Sequence, residues 1–471
     1  MTVIETAEKM LPAGLRTKLS PVLHQFAGVL TGDSERAAAQ RMAMIAFAIR
    51  IASAAIAFLS QIIQARLMGE FEYGIFVFVW VMVILFGNLS CFGFHSAVIR
   101  FLPHYRAADA QAEIRGLTAT ARIFAMLAAT ALALTGFAVI RLSGSWIEAY
   151  YVVPLFLGLV TLPMIALGDV LDGTARANAW PITALSPVYI IRPVLILVFM
   201  VLAVQFGAEH TAITAMAAAL AAAYVTTFGQ FLVVTWRLRR RYVRGPLKID
   251  FGAWIRVAVP IFLIEGFSFL LTNSDVVVVG LYLDPDQVAI YFAAAKTMAL
   301  VQFVYFSVKA AAAPRFSSMF AANDMRGLAA FAGETARWTF WPSLVVGLCV
   351  LAVGQPLLSL FGPAFTAGYV LMAILFCGIL SKSMIGPGEV LLTMAGKQKL
   401  CVLLYVGALA ANVVLNVTLI PLFGLPGAAA ATASAMVVEA VLLHIAVRRS
   451  LGIVLFVFAD PMTLFPATKA P

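Results

Sequence analysis

An all-α membrane protein of about twelve helices, arranged as two parallel six-helix repeats, is the fold class this sequence predicts. Three observations predict it. First, 63% of the 471 residues are hydrophobic and only 11% are charged, whereas soluble domains carry about 25% charged residues. Second, the chain repeats itself. Arg100-Phe101 recurs as Arg315-Phe316, and the same offset of 215 carries Tyr73–Phe76 onto Val288–Tyr291 and Asp109 onto Asp324. Phe206-Gly207 recurs 217 residues on as Phe423-Gly424. Third, the basic residues are sorted by side of the membrane once the apolar stretches are read as spans.

The first six spans lie near 42–64, 74–97, 118–141, 150–170, 182–205 and 212–236. The second six lie near 254–280, 288–311, 338–360, 369–391, 400–420 and 428–447. Each is close to the length of roughly 20 residues that crosses a bilayer as a helix. With the N-terminus inside, the cytoplasmic segments hold 22 Lys/Arg and the opposite loops hold two, Arg66 and Arg141. Such a bias sets orientation. The net charge of +10 is therefore topological and argues against a nucleic-acid partner.

Residues 1–41 are expected to form a cytoplasmic tail, with Asp33-Ser34 capping the helix that enters the first span. Residues 42–236 and 254–448 form the two halves, and the basic stretch 237–253 is the cytoplasmic linker between them. Residues 449–471 form a second tail, whose run Leu451–Phe458 is too short to span and is expected at the interface or unstructured. An even number of spans per half makes the repeats parallel, and paired repeats of this kind build transporters that open alternately to either side. The opposite loops are tight, as at Leu283–Asp286, Phe361–Pro363 and Pro421–Pro426. The sequence has no phosphate-binding glycine loop and no zinc-ligand helix, so no enzyme activity and no bound cofactor or metal are expected. The four cysteines, Cys91, Cys349, Cys377 and Cys401, read as packing residues.

Ionisable and polar residues inside the spans are costly in hydrocarbon and are site candidates by default. Glu265, Ser268, Thr272 and Asp275 fall on one face of the seventh span, a stripe that must meet protein or water. Lining a cavity and forming an interhelical hydrogen-bond seam are its two readings. Lys296 lies about eight residues into the eighth span, roughly 12 Å deep, at the depth of Asp275, with which it is expected either to pair or to trade for an anionic substrate group. Arg50, Gln61 and Gln64 share a face of the first span. Arg192 precedes Pro193 in the fifth span. Lys382 and Glu389 flank Gly386-Pro387-Gly388 in the tenth, where a broken helix near a binding site and packing-driven Gly/Pro usage are the two readings. Asn412 and Asn416 read as helix–helix glue. Glu439 and His444 fall on different faces of the twelfth span.

Several stretches together resemble the polysaccharide or oligosaccharide flippases (Wzx-like) of the multidrug/oligosaccharidyl-lipid/polysaccharide exporter superfamily. They are Ala65–Phe76 (ARLMGEFEYGIF), Ala97–Tyr105 (AVIRFLPHY), Asn273–Asp275 (NSD), Val288–Lys296 (VAIYFAAAK) and Pro314–Ser318 (PRFSS). The resemblance spans about 42–448 and implies a MATE-like bundle in the bacterial inner membrane, with both termini cytoplasmic. It implies a flippase that moves a polyprenyl-diphosphate-linked oligosaccharide to the periplasmic leaflet for O-antigen, exopolysaccharide or capsule synthesis, alongside polysaccharide polymerase and chain-length components. Lys296, Arg50, Arg192 and Lys382 are then the cations for the diphosphate, with Gln61 and Gln64 beside them. Asp275, Glu265, Ser268, Thr272 and Glu389 line the cavity or bind a coupling proton or sodium ion. A multidrug/cation antiporter of the related extrusion family is the alternative. The buried lysines and arginines weigh against it. A twelve-span chain also departs from the fourteen spans usual in members that flip the peptidoglycan precursor.

Epitope tags placed at Asp284 and Pro363 should be reached from outside the cell, and tags within 237–248 only after permeabilisation. The reverse pattern would overturn the orientation.

Overall fold

The computed structural model describes residues 35–243 and 245–459. The predicted tails up to residue 34 and from residue 460, with the proposed cap at Asp33-Ser34, lie outside them. In the first half, α1 runs Glu35–Ser90, α2 Phe94–Ala107, α3 Gln111–Ser143 and α4 Ala149–Ala177. Helix α5 (Pro181–Ser186) joins α6 (Arg192–Gln205) through one π turn, and α7 covers Ala212–Arg241. The second half comprises α8 (Phe251–Tyr282), α9 (Pro285–Met298), α10 (Gln302–Ala321), α11 (Met325–Ala352), α12 (Gly354–Ser359), α13 (Tyr369–Ser383), α14 (Gly388–Met394) and α15 (Gln398–Leu451).

Among the described residues, nine helices are long and apolar enough to cross a membrane, and α9 with α10 makes a tenth span bent by 45°. The two longest helices each supply two spans. Helix α1 breaks at Gly69 (φ 77°, ψ 174°) and α15 at Gly424 (φ 59°, ψ −137°). Both backbones turn at positive φ, which glycine adopts without a Cβ clash. Twelve spans result. The ninth differs from the predicted 338–360: it begins at Met325 and ends at Ala352, where Val353 and the Gly354-Gln-Pro356 sequence start a separate short helix.

The repeat is present in the backbone, one residue out of the predicted register at the first basic turn. Asp109 and Asn323 both take positive φ, 49° and 55°. The amides of Ala108, Asp109 and Ala110 bond the carbonyls of His104, Arg106 and Tyr105. Those of Ala322, Asn323 and Asp324 bond Ser318, Phe320 and Met319. Asp109 therefore corresponds to Asn323, and Arg100 to Pro314 instead of Arg315. The chain adds one residue between the Tyr73 and Asp109 positions that the second half lacks.

Lipid tails are as apolar as leucine, so association of these helices rests on close packing and buried hydrogen bonds. Helix α7 presents Ala215, Ala218, Ala219, Ala222 and Ala223 on its buried side, a smooth face against which α4 packs. One hydrophobic core joins the two halves, from Tyr73 and Phe292 at the end away from the basic loops to Leu102, Ile114 and Trp254 near them. At the far end Tyr73 packs edge-on against Phe292 and Phe365, and Phe58 against Phe361. Arg66 donates from Nε to the Leu360 carbonyl and from Nη2 to the Ser359 carbonyl, both at 2.6 Å. Towards the basic end a further core around Leu171 and Leu185 belongs to the first half. Another, around Phe316 and Leu391, belongs to the second. The halves meet at that end chiefly through α2 and α8, with Phe92 on Phe262 and Trp254 Nε1 donating to Tyr105 Oη at 2.9 Å.

Residues 452–459 depart from the expectation of an interfacial or unstructured tail. Ile453, Leu455 and Val457 are buried, the Val457 amide donates to the Met384 carbonyl at 2.9 Å, and Phe458 packs on Phe340 and Trp341. The apolar run is too short to span, and it buries itself against the bundle.

Gly74 marks a close approach between the halves. A Cβ there would stand 1.7 Å from the Pro285 carbonyl oxygen. Gly74→Ala should lower the apparent Tm of the detergent-purified protein, by an overpacking cost of about 1–3 kcal/mol. Gly252→Ala, with nothing within 4 Å of its Cβ, should not lower it. Equal Tm values for the two variants would contradict the interlocked interface.

Candidate functional site

A cavity of about 230 Å³ lies within the second half, walled by α8, α9, α10, α13, α14 and α15. It is lined by three lysines, Lys296, Lys309 and Lys382, and three carboxylates, Asp275, Glu389 and Glu439. Two of the lysines are neutralised in place. Lys382 bonds Glu439 at 2.7 Å, and Lys309 forms an ion pair with Glu389. Glu389 also accepts from Tyr405 Oη at 2.7 Å. The break between α13 and α14 makes this possible. Helix α13 ends at Ser383 and α14 begins at Gly388, so Lys382 and Glu389 project from separate segments towards separate partners.

Lys296 is held differently. Its Nζ sits 5.0 Å from the centre of the Phe292 ring, and among the described residues no carboxylate lies within ion-pair distance. Asp275, the expected partner, instead accepts from Tyr291 Oη at 2.9 Å and from the Val276 amide. Tyr291 Oη also lies 3.0 Å from Thr432 Oγ1. Ser274 donates to Asn412 Oδ1, so Asn412 links α8 to α15 as expected, while Asn416 donates to Asn412 within its own helix. A cation over an aromatic face, with its nearest carboxylate occupied by hydroxyl and amide donors, retains capacity for an incoming anion.

The predicted polar stripe on α8 divides between two places. Ser268, Thr272 and Asp275 line the cavity. Glu265 leaves it and bridges the halves, with its carboxylate 2.9 Å from His95 Nε2 and accepting from Ser96 Oγ at 2.8 Å. The described first-half candidates, Arg192, Gln61 and Gln64, lie apart from the cavity. Arg192 is buried on α6, and its Nε has no hydrogen-bond partner among the described residues. Gln64 is buried and donates to Ser60 Oγ at 3.0 Å, while Gln61 is half-buried. The side chain of Arg50 lies outside the described residues. Lys309, Tyr291, Tyr405 and His95 were absent from the candidates read in the sequence. Lys309 sat at the predicted rim of its span, and the tyrosines carry no charge to mark them, although a hydroxyl inside a span is itself a signal. Glu439 lines the cavity through its pair with Lys382, and His444 turns away, donating from Nδ1 to the Leu455 carbonyl. Among the described residues no three His, Cys, Asp or Glu side chains lie close enough to hold a metal ion.

Residues 41–320 match the family described as polysaccharide biosynthesis protein. The chain belongs to that family. Residues 260–418, which carry most of the cavity, also match the MatE family. No curated protein matches this polysaccharide biosynthesis protein by sequence. Solved structures share its fold. The lipid II flippase MurJ in an inward closed conformation is 14% identical, with a TM-score of 0.70 over 86% of this chain and 87% of that one. A multidrug resistance MATE family transporter of the MOP superfamily, inward-facing, is 15% identical with a TM-score of 0.68, covering 85% and 94%. A MOP superfamily transporter from Pyrococcus furiosus is 15% identical with a TM-score of 0.62, covering 90% and 97%. The helical bundle thus has the fold of these solved transporters and of the flippase.

In a variant lacking the native cysteines, single cysteines at Ser268 and Thr272 should react with a small water-soluble thiol reagent, and one at the buried, cavity-remote Ala129 should not. Protection of both cavity positions would favour a dry hydrogen-bond seam.

Proposed function

We propose that this member of the polysaccharide biosynthesis family is a flippase. It carries a polyprenyl-diphosphate-linked oligosaccharide from the cytoplasmic to the periplasmic leaflet of the bacterial inner membrane, for polymerisation into O-antigen, exopolysaccharide or capsule. The observation that carries this reading is Lys296, a lysine inside the span region that faces a cavity and, among the described residues, has no carboxylate at ion-pair distance. An ionic group at that depth is costly, and a diphosphate offers it the partner that Asp275 does not. The hydroxyls and amides around it suit sugar hydroxyls. Its volume falls below the ~300–1,000 Å³ usual for small-molecule sites, so it suits a headgroup fragment, with the polyprenyl tail left in the bilayer.

In this reading the basic end and both termini are cytoplasmic. The cargo enters from the basic end, which requires parting the contacts between α2 and α8 there. Exit on the other side requires parting Arg66 from the Ser359 and Leu360 carbonyls. Glu265, Asp275 and Glu389 are the carboxylates available to a coupling proton or sodium ion. Polymerase and chain-length components then receive the flipped unit. Lys296, which among the described residues has no carboxylate at ion-pair distance, disfavours a cationic drug as cargo.

Cells lacking the protein should accumulate repeat-unit lipid inaccessible to an external sugar-modifying enzyme, and the wild-type chain should expose it again. Lys296→Ala should fail to restore surface polymer, while Lys296→Arg should restore part. Repeat-unit lipid reaching the outer leaflet without the protein would remove the flippase reading. Full restoration by Lys296→Ala, at equal protein levels, would remove Lys296 from it.

A further inference from the structure

A second recess, separate from the central cavity, opens on the outer surface of the second half at the basic end. It encloses about 560 Å³ between α10 and α11 and is flanked by Arg315 and Arg337, both exposed. The Arg315 guanidinium lies 4.4 Å from the centre of the Phe331 ring. Among the described residues neither arginine has a carboxylate within 4 Å, although Glu334 also lines the groove.

The repeat shows what this surface holds in the other half. At the backbone offset of 214, Tyr105, Glu113 and Gly116 correspond to Met319, Gly327 and Ala330, all three of which line the groove. In the first half these positions are covered by the linker and the start of α8. Trp254 bonds Tyr105, Lys248 bonds Glu113 at 2.8 Å, and the Lys248 carbonyl presses so close to Gly116 that a Cβ would stand 1.8 Å away. Arg115 holds the Val243 and Pro246 carbonyls. The second half leaves the matching surface open among its described residues.

The groove also stands at a defined depth. Every charged residue of α11 precedes Trp338, and residues 338–352 carry none. Trp338 and Trp341 are exposed on the outer surface just beyond Arg337. Tryptophans at the start of a charge-free run mark the boundary between headgroups and hydrocarbon. Two arginines there face the layer occupied by lipid phosphates, with Phe331, Met319 and the tryptophans beside the first acyl carbons. We infer that this groove binds the phosphate headgroup of an anionic phospholipid of the surrounding bilayer. The lipid takes the place that the linker fills in the first half, and the arginine forks supply the paired donors that phosphate oxygens accept.

The test uses the full-length purified protein in detergent with equimolar phosphatidylglycerol and phosphatidylcholine, read by native mass spectrometry. The wild type should retain phosphatidylglycerol preferentially. Arg315→Ala with Arg337→Ala should lower that retention at least about tenfold, as expected for the loss of two headgroup-level cations. Arg315→Lys with Arg337→Lys should keep part of it, and Glu334→Gln should increase it. All variants should keep the wild-type Tm, because the three side chains are exposed. Unchanged phosphatidylglycerol retention in the double alanine variant, or equal retention of both lipids by the wild type, would overturn the assignment. So would added undecaprenyl phosphate being retained through the two arginines while phosphatidylglycerol is not, since the groove would then serve cargo.

Discussion

Three lysines and three carboxylates face one cavity inside an apolar half-bundle, and the cost of charge in that medium constrains everything around them. A buried ion whose partner is removed loses several kcal/mol, of order 3–5. Lys382 with buried Glu439 therefore ties α13 to α15, and Lys309, whose side chain is 40% exposed, ties α10 to α14 more weakly. The broken helix after Ser383 exists in this setting: a continuous helix would have carried Lys382 and Glu389 on one rod. Once those pairs are made, Asp275 is satisfied by Tyr291 and the Val276 amide. Lys296 is left as the charge not matched at contact distance, and the chemistry of the cavity follows from that remainder.

The bundle was legible in the sequence because hydrocarbon imposes so few solutions on a backbone. Long apolar runs must be helices, and the loops sort by charge. The breaks at Gly69 and Gly424 coincide with turns expected between spans, and the Gly386-Pro387-Gly388 break was read from composition. Register was harder. Arg100-Phe101 and Arg315-Phe316 match in letters, yet the turn hydrogen bonds align Arg100 with Pro314, because a dipeptide match cannot detect one residue gained within a helix. The ninth span was misplaced for a related reason. Residues 325–337 carry enough charge to resemble a loop, while their backbone continues the helix.

The site was legible as a set of candidates and less so as a set of partnerships. Charges announce themselves inside apolar runs, so Lys296, Lys382, Asp275 and Glu389 stood out. Which of them meet depends on helix rotation, and rotation is fixed by packing among several elements at once. Glu265 shows the limit: its spacing from Ser268 and Thr272 is helical, yet its carboxylate turns to His95 and Ser96 across the interface. Uncharged donors were harder still to foresee. Tyr291 and Tyr405 set the surroundings of Asp275 and Glu389, and both lie within ordinary aromatic usage for a membrane helix.

The short strand of chain after α15 has a consequence for how the protein is made. Val457 bonds Met384 in the break of the tenth span, and Leu455 holds His444. The ribosome releases these residues only after the helices that wall the cavity have been synthesised, and chains of this size assemble their parts in order of synthesis. The first half has all its helices long before the walls of the cavity can close. The polar chamber thus acquires its final contacts later than the first half does. Until then its lysines and carboxylates must be kept from the lipid by other means, which makes the interval between translation and closure the time at which the nascent protein is most open to quality control.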